Sequence, residues 1–223
     1  MATRQSGSTH SAKILPFTPS SSRIRCISPA YEGHCLLYSH HALSRDKLYA
    51  IRILCWARLA DGRDVAVVPW LNDISHCRDL NDAETGLAVG YYDPACDDRF
   101  DTLPSQHRAA LDALSEQVAT DKAHGVLQEI PDLIGSHAAM VKDSDELVLE
   151  PVVSWQLRGD GRMQAMLADP ERITQQPVLP GDPCLYAADH ESGLRYYFQY
   201  HIANQIKNGG AMSTRILGQL IRR

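Results

Sequence analysis

The segment 48–70 constrains the fold of this chain most strongly, because it combines two apolar strand patterns with a tight turn. Apolar residues occupy both faces of 48–60, which predicts a strand that is covered on both sides. Asp61-Gly62 supplies a two-residue turn, and residues 65–68 return as the partner strand. An antiparallel β-hairpin over about 48–70 is therefore expected.

The same pattern recurs later in the chain. A second apolar run turns at Asp160-Gly161 and returns, which predicts a hairpin over about 146–167. Trp56 and Trp155 each stand five residues before an Asp-Gly-Arg sequence, so the two landmarks share one offset of 99 residues. Two interpretations remain open: an old duplication of a hairpin unit, and a turn sequence that the two hairpins merely have in common, which is the simpler one.

The rest of the chain predicts a third hairpin and one long helix. Short apolar runs on either side of a turn indicate strand pairing over about 184–200. Pro104 suits a first helical turn and an apolar stripe follows it at helical spacing, so a helix is expected over about 103–124. Residues 126–140 are interrupted by a proline and a glycine, which predicts short turns of helix or loop there.

These elements predict an α+β fold, with antiparallel strands early and late in the chain and helices between and after them. Residues 1–24 are basic and Ser-rich without an apolar pattern, which predicts a disordered tail. Residues 25–210 are expected to form a single globular α+β domain, or two hairpin-based subdomains over 25–101 and 140–210. Residues 211–223 place apolar side chains on one helical face and predict a short amphipathic C-terminal helix.

The composition limits the class of protein to which this chain can belong. Its 223 residues are 44% hydrophobic and 22% charged, which excludes a collagen, a coiled coil and a wholly disordered chain. The formal net charge of −5 disfavours nucleic acid as a partner. Six cysteines form no dense disulfide framework, and no apolar stretch is long enough to span a bilayer. A cytoplasmic protein without a membrane partner is therefore expected.

Two segments concentrate side chains that bind metals or move protons. Residues 72–101 carry eight carboxylates, one histidine and two cysteines, and residues 31–47 carry three histidines and a cysteine. If these segments converge at one end of the first hairpin, they form a mixed site for a divalent metal. The expected ligands are His40, His41, Asp73, His76 and Asp93. The simpler alternative is a solvated acidic loop beside histidines that serve packing.

Two functions of different classes follow from these patterns. No phosphate-binding loop, dinucleotide fingerprint or hydrolase signature occurs in the sequence, which favours a non-catalytic binding or accessory protein. Its partner would be a protein or a small molecule, and residues 211–223 would allow a homo-oligomer. The alternative is a small metal-assisted hydrolase that uses the segments 31–47 and 72–101, with a divalent metal as cofactor.

Overall fold

The computed structural model of this chain describes residues 23–40, 48–69, 86–117, 125–142, 146–174 and 176–207. Within these ranges the backbone is mostly antiparallel β-sheet with two helices, in keeping with the expected α+β class. The elements follow one another as β1 (Ile24–Pro29), β2 (Cys35–His40), β3 (Tyr49–Arg52), β4 (Cys55–Leu59), β5 (Asp64–Val67), β6 (Gly86–Asp93), β7 (Asp98–Phe100), α1 (Ser105–Gln117), β8 (Val126–Pro131), β9 (Ser136–Val141), β10 (Leu147–Arg158), β11 (Met163–Ala168), β12 (Leu185–Ala187), β13 (Leu194–Gln199) and α2 (Tyr200–Lys207). Neither helix is long and apolar enough to cross a membrane.

The strands form three sheets. One has the order β1-β4-β5 and a second has the order β3-β2-β6-β7. The third has the order β12-β11-β10-β9-β13, and β8 also pairs with β10. The helix α1 packs on β1 and β4, while α2 packs on β3.

The segment 48–60 differs from the single strand that its pattern predicts. It is divided at Ile53 and Leu54 into β3 and β4, which belong to different sheets. Ile53 lies in the core beneath α1 and Leu54 lies in a second core, and both are fully buried. The segment 48–60 is therefore apolar on both faces because it contacts two cores, one on each side. The turn at Asp61-Gly62 still joins two paired strands, β4 and β5.

The other predicted elements differ from the structure in different degrees. Strands β10 and β11 pair antiparallel within the predicted hairpin 146–167, with Trp155 opposite Ala165. The pairing predicted over 184–200 is wrong, because β12 pairs with β11 and β13 pairs with β9. Two apolar runs separated by a turn predicted the two strands correctly. They did not predict the pairing, because each strand pairs with a strand other than its neighbour in the chain. Residues 126–140 form β8 and β9 where turns of helix or loop were expected.

The remaining predictions concern the helices and the chain ends. The helix predicted over 103–124 is observed as α1, and residues 118–124 lie outside the described residues. Of the predicted tail 1–24, Arg23 and Ile24 are described, and Ile24 already begins β1. The predicted helix 211–223 lies outside the described residues, whereas α2 was not expected.

The pairing of strands repeats in the two halves of the chain. Trp56 lies opposite Ser28 and Ala66, and Trp155 lies opposite Ile130 and Ala165. The pairing of β2 with β3 has the same register as the pairing of β9 with the first half of β10. The pairing of β2 with β6 likewise has the same register as the pairing of β9 with β13. We call residues 24–93 unit 1 and residues 126–199 unit 2.

The irregularities of the two units repeat as well. A bulge in β1 is matched by one in β8, and a bulge in β6 is matched by one in β13. Gly33 and Gly135 begin equivalent strands with φ of 75° and 72°, and Gly62 and Gly161 take φ of 86° and 81° in equivalent turns. Bulges and left-handed glycines are specific features of a fold. A shared turn sequence does not account for them, and an internal repeat does. That each unit would fold as a separate subdomain stays a prediction.

The two units pack directly on each other. One core contains Ile27 and Leu54 of unit 1 together with Trp155 of unit 2. The Gln128 side chain accepts from the backbone N–H of Ile27 at 2.7 Å and donates to its carbonyl at 3.0 Å. This packing covers one face of the β1-β4-β5 sheet, and α1 covers part of the other.

Candidate functional site

The candidate site begins with a histidine on the apolar face of α1. His107, Leu111 and Leu114 are spaced so that they share one side of the helix, and His107 is only 4% exposed. A buried imidazole requires hydrogen-bond partners. His107 Nδ1 lies 2.9 Å from Ser28 Oγ, and His107 Nε2 lies 3.0 Å from Glu32 Oε2.

Glu32 lies in the turn between β1 and β2 and connects this histidine to solvent. Gln106 Nε2 donates to Glu32 Oε1 at 2.6 Å. Burial alone would raise the pKa of Glu32, but hydrogen bonds from its own backbone N–H, from His107 and from Gln106 outweigh burial and lower that pKa. An ionised carboxylate can only accept hydrogen bonds, so we assign the proton of the His107 ring to Nε2, which donates to Glu32. In the neutral ring, Nδ1 then accepts a hydrogen bond from the Ser28 hydroxyl.

A second buried histidine stands beside Glu32. His34 is 7% exposed, and its ring packs edge-on against Phe100 with centroids 5.0 Å apart. Its Nε2 lies 3.8 Å from Asp93 Oδ2, and its Nδ1 is buried without a hydrogen-bond partner among the described residues. The site therefore contains a lone pair or an N–H group that the described part of the chain leaves unsatisfied.

Asp93 supplies a second carboxylate at this end of unit 1. The backbone N–H of Ala95 lowers the pKa of Asp93; burial opposes this effect, and the Cys96 thiol and the His34 ring reinforce it. Both carboxylates of the site are thus anionic at neutral pH, which favours a cation or the positive part of a ligand.

Glu32, His34 and Asp93 border an open cleft of about 970 Å³ between α1 and the hairpin β6–β7. The walls include apolar side chains and charges of both signs. They comprise Glu32, His34, Asp93, Phe100, Leu103 and Arg108, among others. Among the described residues, Glu32, His34 and His107 form one group whose nitrogen and oxygen ligand atoms all lie within 4.8 Å of one another. Two imidazoles and a carboxylate are a donor set that zinc uses in proteins.

Unit 2 has the same backbone without these groups. By register, Ile130 takes the place of Ser28, and Ser136 takes the place of His34. Counting from Gly33 and Gly135, Ile134 takes the place of Glu32. Ile130 and Ile134 are buried in the core between the units. The repeated backbone accommodates apolar or neutral residues at these positions, so its strand pairing does not require a histidine and a carboxylate there.

The structure brings together the described parts of the two predicted segments, 31–47 and 72–101, through one predicted ligand, Asp93, and one residue that was not predicted, His34. Strand β2 pairs with β6, which places His34 beside Asp93. His40 lies at the opposite end of this pair, opposite Gly86 and roughly 20 Å from the level of Asp93, so His40 and Asp93 do not share one ion. His41, Asp73 and His76 lie outside the described residues, and a metal site built from these three with His40 stays a prediction.

None of the three residues of the observed cluster is among the ligands that the sequence predicted, although His34 and Glu32 lie in the segment 31–47. Glu32 lies within the segment 31–47, but its proximity to the helix depends on the path of the turn between β1 and β2. His107 had a readable signal, because it continues the apolar stripe of Leu111 and Leu114 toward the helix start. A histidine on such a stripe is expected to be buried and paired.

Comparison with known proteins adds no assignment to this geometry. No protein-family model, no curated protein and no solved structure matches this chain. The functional interpretation rests on the residues of the cleft and on the difference between the two units.

Proposed function

We propose that the protein is a ligand-binding module whose binding site is the cleft of unit 1 beside α1. One observation carries this proposal: unit 1 places a histidine and a carboxylate, His34 and Glu32, where the equivalent backbone of unit 2 carries Ser136 and Ile134. A buried imidazole such as that of His34 is costly to retain where the strand pairing does not need it, and it is therefore a candidate for function together with the carboxylate beside it.

The lining of the cleft defines the chemistry of the ligand. Phe100 and Leu103 offer apolar contact, while the anionic Glu32 and Asp93 offer negative charge. Sites of this kind combine an apolar wall with a few placed polar groups. A metal cation, or a small molecule with a cationic group and an apolar portion, fits this arrangement.

A ligand screen by NMR tests the proposal on the full chain. Small cationic and neutral compounds are titrated, and we expect hits to shift amide signals of Phe100, Leu103 and Arg108. The variant His34→Ser carries the residue of unit 2 and is expected to weaken binding about tenfold, which corresponds to a loss of about 1.4 kcal/mol. The matched control is Ser136→Ala in unit 2, which should bind like wild type. Hits that map elsewhere, or that are insensitive to His34, would contradict the proposal.

The second candidate is a metal-assisted hydrolase. It is favoured by the donor set of two imidazoles and one carboxylate beside an open cleft, because hydrolytic zinc sites combine three protein ligands with an open position for water. Hydrolysis of nitrophenyl esters that requires zinc and is lost in His107→Gln would support this candidate. Equal rates in the two proteins would eliminate it.

Further proposals concern assembly and location. A homo-oligomer formed through residues 211–223 predicts that truncation after residue 210 lowers the mass measured by analytical ultracentrifugation. An unchanged mass would contradict it. Cytoplasmic localisation and the absence of a nucleic-acid partner likewise stay predictions.

A further inference from the structure

We infer that unit 1 and α1 together bind one divalent transition-metal ion, with zinc as the preferred ion, on Glu32, His34 and His107. This inference rests on the proposed function for its location, and it deepens that function by naming the ion as the ligand beside the cleft. Four observations carry it, from the spacing of the ligand atoms to the comparison between the units.

The spacing of the donor atoms suits a small ion. The three ligand atoms lie within 4.8 Å of one another without any ion between them. Ligands of tetrahedral zinc at about 2.0–2.1 Å are roughly 3.4 Å apart. The largest separation therefore has to shrink by about 1.4 Å, which we expect side-chain rotations to provide.

The unsatisfied nitrogen of His34 is the second observation. His34 Nδ1 is buried and has no hydrogen-bond partner among the described residues. A buried nitrogen without a partner is unfavourable, because the hydrogen bonds that it makes to water in the unfolded chain are not replaced. A metal ion bound to Nδ1 would remove this cost, and it would leave the Nε2–H group of the same ring facing Asp93.

The supporting shell is the third observation. Metal-binding histidines usually direct their other ring nitrogen to a carboxylate or another polar group. His34 Nε2 lies 3.8 Å from Asp93 Oδ2, and His107 Nδ1 lies 2.9 Å from Ser28 Oγ. His107 therefore already has a hydrogen-bond partner at Nδ1, whereas Asp93 would have to approach His34 more closely to become one. An ion bound to His107 Nε2 would displace the proton that this nitrogen donates to Glu32, and the ring would then donate from Nδ1 to Ser28 Oγ.

The choice of ion and the stoichiometry follow from the donor types. Two nitrogen donors favour zinc and similar ions over magnesium and calcium, which prefer oxygen ligands. At the equivalent positions unit 2 offers Ile134 and Ser136, so we expect one ion on this set per chain.

Titration with zinc in competition with a chromophoric chelator tests the inference. The full chain is purified without a metal-affinity step, stripped with chelator and titrated. We expect one site in wild type, with affinity reduced at least about 100-fold in His34→Ser and in His107→Gln. Glu32→Gln provides a third ligand variant. Glu32 is half-exposed, so this substitution leaves both buried histidines in place. The matched control is His190→Gln, an exposed residue far along the chain, and circular dichroism verifies that each variant is folded.

Two outcomes would overturn the inference. One is zinc binding that is unchanged in all three folded ligand variants. If that binding were then lost in His41→Ala or His76→Ala, the metal site would be the one that the sequence predicted. The other is no zinc binding by wild type. Neither outcome removes the proposed binding function, because the NMR screen with small molecules measures the cleft without any metal.

Discussion

At the scale of single residues, the imidazoles of His107, His34 and the half-buried His201 differ in what surrounds them. His107 has a partner at each ring nitrogen, whereas one nitrogen of His34 has none among the described residues. His201 lies in α2, and its Nε2 accepts a hydrogen bond from the backbone N–H of Arg52 at 3.2 Å. Burial, reinforced by the charge of Arg52, lowers the pKa of His201 to about 4.

The lowered pKa of His201 predicts an acid-sensitive fold. The unfolded chain binds a proton near pH 6.5 that the folded chain does not accept until about pH 4. The free energy of unfolding should therefore fall as the pH drops through this interval, by at most about 1.4 kcal/mol per pH unit from this group. In urea titrations at several pH values, His201→Gln should show a shallower decline than wild type, and His190→Gln should not. Parallel curves for wild type and His201→Gln would contradict this assignment.

At the scale of elements, local patterns indicated strands and turns more reliably than they indicated partners. The turns at Asp61-Gly62 and Asp160-Gly161 each join paired strands, because an Asp-Gly sequence specifies its own backbone geometry. The partners of β12 and β13 could not be predicted, because an apolar run does not encode which free edge it will meet. The division of 48–60 into two strands likewise depends on two cores that form only in the folded chain.

The equivalent glycines of the two turns provide a matched prediction. Gly62 and Gly161 both have positive φ, so alanine at either position should cost about 1–2 kcal/mol of unfolding free energy. A Cβ at Gly161 would also lie 2.7 Å from Arg23 Cβ, whereas a Cβ at Gly62 meets nothing within 4 Å. The Gly161→Ala variant should therefore lose about 1 kcal/mol more than Gly62→Ala in urea unfolding. An equal loss would show that the contact between this turn and β1 contributes little.

At the scale of the whole molecule, two copies of one fold pack together and only one carries the cluster. The sequence revealed this repeat only at the Trp and Asp-Gly-Arg landmarks, because loops of different length change the offset along the chain. Buried positions also tolerate many apolar side chains. The two units therefore share the register of their strand pairs although most of their equivalent residues differ. The cluster itself could be predicted only in part, since His34, Glu32 and His107 meet through the pairing of strands and the docking of α1.

The central claim of this account is that the polar cluster serves binding and that the fold does not need it. The most direct test is the urea unfolding free energy of Ser28→Ala/His107→Leu in the presence of chelator. This double variant removes both buried partners of the 2.9 Å contact and keeps the volume of the helix side chain. Replacing both partners by apolar groups is nearly neutral when a pair has no structural role. We predict a free energy within about 1 kcal/mol of wild type, and a loss above about 3 kcal/mol would contradict the claim by showing that the cluster holds α1 on the sheet.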